Sequence, residues 1–335
     1  MKMHTTLYRI SMILLVFGLF ACSKEEIASK ELLAYIKADG SPHEATIAFN
    51  RTPISTSGAT SAQFTAYLTR EAKKDVVFSV QTEPSLVEQY NKQNKTSFDI
   101  LPATNYELSG INGLTIKAGE TVSNDSIRIT LKNRQDLTNT NGYLLPLSIQ
   151  TINSTEKGVT ISNTHRTVYV IVSSTFNNID QSSNKPVSGR FIDRKNPVWT
   201  IPSASAPYFS AYAAMNVLDG DVKTDYITNY GANNYINMDM NQVYQVKGIV
   251  LTPSYSFFFP LASNTVDVLT SLDNITWTEQ GKYIVQDLDE SSSATNPDNR
   301  NINFYGAVKA RYIKLIFDKD LSSSLSGYSE INAIQ

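Results

Sequence analysis

Residues 265–277 read TVDVLTSLDNITW. Val266 and Val268 alternate with polar neighbours, the period of a half-buried strand, and a turn-forming run follows at 271–274. Asn274 tolerates the left-handed backbone that a tight turn requires. Similar strand patterns flank this stretch at 243–251 (VYQVKGIVL) and 311–317 (RYIKLIF). Short β-branched or aromatic runs also fill the first half, at 76–80, 114–117, 126–131, 144–149 and 167–172, bounded by Gly, Asn, Ser or Pro. Repetition of this kind predicts an all-β chain built from sandwiches. One stretch departs from it. At 83–91 (EPSLVEQYN), Pro84 suits a first helical turn, and Val87, Tyr90 and Leu86 share a face, so a short helix crossing between strands is expected.

Residues 174–189 (STFNNIDQSSNKPVSG) are polar and poor in large apolar groups, as expected of a linker. They divide the 335-residue chain into two β halves, each long enough to bury its own core. The 29 basic and 31 acidic residues give a net charge of -2, and no basic block suggests nucleic acid. No later apolar run matches a membrane span of roughly 20 residues.

The one cysteine lies in FGLFACSKEE, residues 17–26. Lys2 and Arg9 precede an apolar run from Ile10 to Phe20. That run has signal-peptide length and is too short to span a bilayer. Leu19-Phe20-Ala21-Cys22 resembles the lipobox of bacterial lipoproteins, which implies cleavage after residue 21 and lipidation of Cys22. Several acyl chains anchor stably where one binds only marginally. Ser23-Lys24-Glu25-Glu26 resembles the acidic export signal of Bacteroidetes surface lipoproteins, which implies an outer-membrane protein facing outward. With Cys22 lipidated, no thiol remains for a disulfide. The expected organisation is a signal peptide over 1–21, a tether over 22–30, a first domain over 31–173, the linker over 174–189 and a second domain over 190–335.

Tyr90-Asn91, Leu101-Pro102 with Tyr106, Ile116-Lys117-Ala118-Gly119 with Ser123, and Tyr143 with Leu145-Pro146-Leu147 occur in order in the first half. They resemble the domain of unknown function numbered 1735 of Bacteroidetes surface lipoproteins. That resemblance implies an immunoglobulin-like β-sandwich without chemistry of its own. Asp125-Ser126-Ile127 resembles the tripeptide that Bacteroidetes O-glycosylate, but a mid-strand position makes it a poor acceptor.

The second half carries five motifs: 216–224 (NVLDGDVKT), 235–240 (YINMDM), 271–277 (SLDNITW), 310–315 (ARYIKL) and 329–331 (SEI). In this order they resemble the discoidin, or coagulation factor V/VIII (F5/8) type C, domain. This is a jelly-roll β-sandwich whose relatives include family 32 carbohydrate-binding modules. Asn274 replaces the usual Gly, and Asp225-Tyr226 stands where the family usually has Trp. The resemblance implies a structural calcium held by the Asn216 carbonyl, Asp219, Asp221, Thr224, the Ser329 carbonyl and Glu330. Ca²⁺ takes about six to eight oxygen ligands, and this spacing turns several oxygens to one point. A plain Asp-Gly turn is the alternative.

Sugars are held by an aromatic platform with polar groups for the hydroxyls. Residues 207–212 (PYFSAY) and 254–260 (SYSFFFP) offer both. Tyr208, Tyr212, Tyr255, Phe257 and Phe258 are the candidate platform, with Asn229, Tyr230, Asn233 and Asn234 as polar contacts. Aromatics also pack sandwich cores, and alternation buries one or two of the phenylalanines at 257–259. Insertion into anionic lipid is the rival use of such loops, but no Lys or Arg lies between Leu251 and Leu261.

Nucleophilic catalysis needs an activated side chain beside a base, and His43 and His165, the histidines beyond the signal segment, lie in no such motif. Two carboxylates suffice for glycosidases, but 287–290 (DLDE) lacks a recognisable spacing and leads into a polar loop. Two sandwiches also leave no room for a barrel of about 250 residues. The expected role is therefore a surface lipoprotein that captures glycans for an uptake complex, without catalysis. An adhesive subunit that docks a protein is the alternative.

Overall fold

The computed structural model describes residues 31–38, 41, 43–182, 185–228, 233–257, 260–284, 289, 291–317 and 325–335. The signal segment, Cys22 and the tether lie outside the described residues, as do Asn229, Tyr230 and Phe258.

The first domain is a sandwich of two sheets. One contains the strands Leu32–Ala38, Ser61–Leu68 and Val122–Leu131, and the other contains Glu44–Arg51, Thr167–Phe176, Tyr143–Asn153 and Val76–Thr82. Alternate residues enter the shared core: Phe64, Ile127 and Ile129 from one sheet meet Phe78, Leu145 and Val170 from the other. Along 143–149 the residues are buried on both faces. The cause is the expected helix, found at Leu86–Asn94, which packs Val87 and Tyr90 against Leu144 on the outside of the sheet. It starts later than 83–91 suggests, because residues 83–87 first form a turn in which Leu86 N–H donates to Glu83 O and Val87 N–H to Pro84 O. Asp125-Ser126-Ile127 lies within the strand Val122–Leu131, as expected.

The second domain is one eight-stranded sheet that folds over itself as a jelly roll. Two long strands make this possible, Asn234–Pro253 and Arg300–Phe317. They pair first along 234–239 and again along 244–251, with the register broken between Asp239 and Tyr244. Asn241 takes a left-handed φ of 57° within that break. The result is two layers enclosing Met238, Ile249, Leu251, Ile313, Leu315 and Ile331.

The hairpin at 271–277 has the backbone expected of it, with Asn274 at φ 64°. The Asp273 carboxylate accepts the N–H groups of Thr276 (2.8 Å) and Ile275 (2.9 Å), and these bonds hold its pKa down to about 2.

The stretch 174–189 is not a free linker from end to end. Residues 174–176 complete the strand Thr167–Phe176, and Ile179–Asp180 already pairs with the second domain at Phe304 and Asn303. Only Asn177 and Asn178 lie between the two strands. The polar composition has a structural reason: Asn178 is fully buried and bonds the second domain on every side. Its Nδ2 donates to Gln280 Oε1 (3.0 Å) and Gly306 O (2.9 Å), while its Oδ1 accepts Gly306 N–H (2.9 Å).

Candidate functional site

The two aromatic stretches converge at one end of the second domain. Tyr208 N–H donates to Ile227 O (2.8 Å) and Pro207 bridges Thr228, which fixes the start of the first stretch. The chain then coils through the 3₁₀ turns Ser210–Tyr212 and Ala214–Leu218. Phe209 is thrown outward between its neighbours, with ring centroids 4.2 Å from Tyr208 and 6.3 Å from Tyr212, and it is 59% exposed. Tyr208 and Tyr212 are half-buried beside it. The most exposed ring of this stretch is therefore Phe209, which is not among the residues expected to form the platform. The signal that could have found it is its place between two tyrosines in a loop that enters from a paired strand.

In the second stretch Tyr255 is half-buried and its hydroxyl is engaged. Its hydroxyl donates to Ser292 Oγ (3.1 Å) and accepts Asp298 N–H (2.8 Å), tying down the loop after 289. Phe257 is 37% exposed. Asn233 is exposed at a turn with φ 63°, and Asn234 opens the long strand. Asp289 is exposed, as expected for 287–290, whose other residues lie outside the described residues.

Asp225, in the position where the resemblance expects Trp, joins the two stretches. It is 2% exposed, its Oδ2 accepts from Ser256 Oγ, and its Oδ1 has no partner. Burial raises its pKa, and the hydroxyls of Ser256 and Ser254 offset part of the shift. The carbonyl of Asp225 accepts Asn216 Nδ2 (2.8 Å), which also donates to Ala211 O (2.9 Å). One asparagine side chain therefore connects the Phe209 loop to Asp225, and Asp225 connects to the loop of Phe257.

The residues expected around calcium are grouped in the structure, yet as arranged they do not fit the ion. Glu330, which should close the shell, is paired through Oε2 with the Arg194 guanidinium. Nη1 of the same arginine donates to Val217 O (2.8 Å) and approaches Ile331 O (3.4 Å). A fixed cation thus already links the loop to the last strand. The loop carboxylates satisfy one another locally: Asp219 accepts Asp221 N–H (2.8 Å) and the Thr224 hydroxyl (2.7 Å), and Asp221 accepts Lys223 N–H (3.0 Å). The Asn216 carbonyl accepts Asp219 N–H (3.4 Å), and Ser329 donates its hydroxyl to Pro253 O (3.1 Å). Among the described residues no three acidic, His or Cys side chains converge on one point. Burial raises the pKa of Glu330, with Arg194 opposing the shift, and Oε1 of Glu330 is left without a partner. Arg194, which lies before the family's first motif, did not enter the calcium expectation.

Comparison with known proteins agrees with this architecture. A family model for an N-terminal domain matches residues 28–156, and the F5/8 type C domain model matches residues 201–331. No curated protein matches the chain. Among solved structures, a two-domain protein with unknown function from Bacteroides fragilis is 19% identical over 91% of this chain and 95% of its own, with a TM-score of 0.52. The family 32 CBM of NanJ from C. perfringens, in complex with galactose, is 17% identical over 43% of this chain and 98% of its own, at a TM-score of 0.36. The C-terminal domain of a chitobiase from Bacteroides fragilis is 19% identical over 43% and 96%, also at 0.36. Five motifs, a jelly-roll sheet and the family match agree: residues 201–331 form an F5/8 type C domain, carried behind an N-terminal β-sandwich domain.

Proposed function

We propose that this chain is a cell-surface lipoprotein, anchored through Cys22, that binds a glycan at the Phe209 end of its F5/8 type C domain. The observation that carries the reading is the exposed Phe209 ring flanked by Tyr208 and Tyr212. A flat apolar face with phenolic hydroxyls beside it suits the C–H face and hydroxyl rim of a pyranose. Asp225 and Asn216 act as positioning residues that hold the two loops together. The first domain serves as the spacer between lipid and ligand, and the bound glycan passes to an uptake complex in the outer membrane. No catalytic step and no calcium enters this reading. The galactose carried by the NanJ module makes galactose-terminated glycans the first panel to test.

The test is a glycan-array screen of the whole chain and of Phe209→Ala. Selective binding that Phe209→Ala abolishes supports the proposal. A blank array from folded protein, or binding that survives Phe209→Ala, overturns it. For the anchor, labelled fatty acid should enter the wild-type chain and not Cys22→Ser.

A further inference from the structure

A second site lies at the junction of the two domains, away from the Phe209 loops. The strand Thr167–Phe176 and its parallel neighbour Glu44–Arg51 end there, beside a cleft of about 680 Å³. Small-ligand sites usually occupy about 300–1,000 Å³. Arg51, Thr138, Thr140 and Phe176 line it from the first domain, and Trp277 and Glu279 from the second. The buried Asn178 bonds hold the walls together, and Pro53 packs against Gly306, where an added Cβ would stand 3.0 Å from the proline ring.

Arg51 is the informative residue. It is 9% exposed and lies over the Phe176 ring at 5.4 Å. Its Nε donates to Ser174 Oγ (3.3 Å) and its Nη1 to Gln135 O (3.4 Å). Both acceptors are neutral, and among the described residues no carboxylate forms an ion pair with it. A buried charge is costly unless a counter-charge meets it. Planar guanidinium groups take carboxylates in two parallel hydrogen bonds. Trp277, half-buried, brings an indole ring from the other domain, with Lys314 Nζ 5.7 Å from that ring as a second cation. Glu279, Thr138 and Thr140 add acceptors and hydroxyls.

We propose that this cleft binds a carboxylate-bearing sugar. Arg51 takes the carboxylate, the Trp277 ring takes the pyranose face, and Glu279 with the threonines takes the hydroxyls. The choice of a sugar rests on the glycan-binding reading above, but the site and its charge preference are separate from it.

Methyl β-D-glucuronide and methyl β-D-glucoside make a matched pair of probes, differing in the carboxylate alone. The chain has two tryptophans, and Trp199 is 1% exposed, so emission that responds to added sugar reports Trp277. The whole chain should respond to the glucuronide at least about ten-fold more tightly than to the glucoside, the scale of one charge-assisted contact. Added salt should narrow the gap. Arg51→Gln should remove the preference while Trp199 emission and the melting curve confirm the fold. If Arg51→Gln fails to fold, calorimetric titration of Trp277→Leu replaces it and should show no glucuronide binding. Equal affinity for both probes, no response to either, or glucuronide binding that survives Arg51→Gln or Trp277→Leu overturns the inference. Neutral-glycan binding that depends on Phe209, without any glucuronide response, would overturn it and leave the loop-site reading standing.

Discussion

The two domains share a fold class and differ in what they bury. In the first, the core is aliphatic and aromatic, and Arg51 is the one charged side chain buried among its described residues. In the second, Asp225, Asp239, Arg300 and Glu330 are all buried, together with Asn178, Asn237, Gln280 and Asn301. These polar groups sit where distant pieces of chain meet: Arg194 with Glu330, Asp239 with Arg311, Asn178 with Gln280. The first domain is stabilised mainly by removing apolar area from water, a non-directional effect. The second adds directional bonds that hold its loops and its chain ends. A single change of charge should therefore disturb the second domain more than the first.

The largest expected effect is at Arg194. Arg194→Met leaves Glu330 buried without its partner, which should cost about 3–5 kcal/mol and lower the melting transition of the second domain alone. Chelation with EDTA should leave that transition in place in the wild-type chain. A large fall in Tm with EDTA would instead support the calcium expectation. Next is the core of the first domain. Leu145→Ala removes a fully buried side chain and should cost about 2–5 kcal/mol, read as a lower first-domain transition in calorimetry. If it also lowers the second transition equally, the domains do not melt as separate units.

Asn178→Ala should follow, at about 1–3 kcal/mol, because the Gly306 N–H and the Gln280 amide lose a buried partner. It should also bring the two transitions apart. The pH response is smaller and has a definite sign. Asp225 has its pKa raised above 3.8 by burial, so its contribution to stability is full below that value and lost as pH rises through the raised pKa. Relative to Asp225→Asn, the wild-type second domain should gain stability on acidification across that window. A parallel pH profile for the two proteins would contradict it.

The smallest effect is at Asp273, whose carboxylate is exposed and held at about 2 by backbone N–H groups. Its stabilisation is present above 3.8 and lost as pH falls towards 2. An NMR titration of the Asp273 carboxyl should find its midpoint near 2, and Asp273→Asn should lack that acid limb.

Local patterns were enough for much of this molecule. Short β-branched and aromatic runs marked eight of the twenty strands among the described residues but not Leu32–Ala38, Glu44–Arg51 or Ser61–Leu68. Pro84 and the Val87–Tyr90 spacing located the helix within three residues of its start, and Asn274 occupies the left-handed turn expected of it. The candidate site was legible to the level of a loop. The stretch 207–212 is at the aromatic end, but the sequence does not reveal which ring faces water, because that depends on how Tyr208 is pinned to Ile227. Nor does the sequence reveal that the Tyr255 hydroxyl is held by Ser292 and Asp298. The linker composition was real, yet Asn178 within it is a buried joint.

By itself the sequence determined the fold class, the two-domain order and the motifs of the second half. Each is written in short-range periods and motifs, which need no knowledge of distant neighbours. Only the tertiary structure decided that Arg194 meets Glu330 across 136 residues, that Asp225 joins two loops, and that Arg51 faces Trp277 across the junction of the domains. Charge, burial and exposure at those points are set by contacts between residues remote in sequence. No local pattern encodes them.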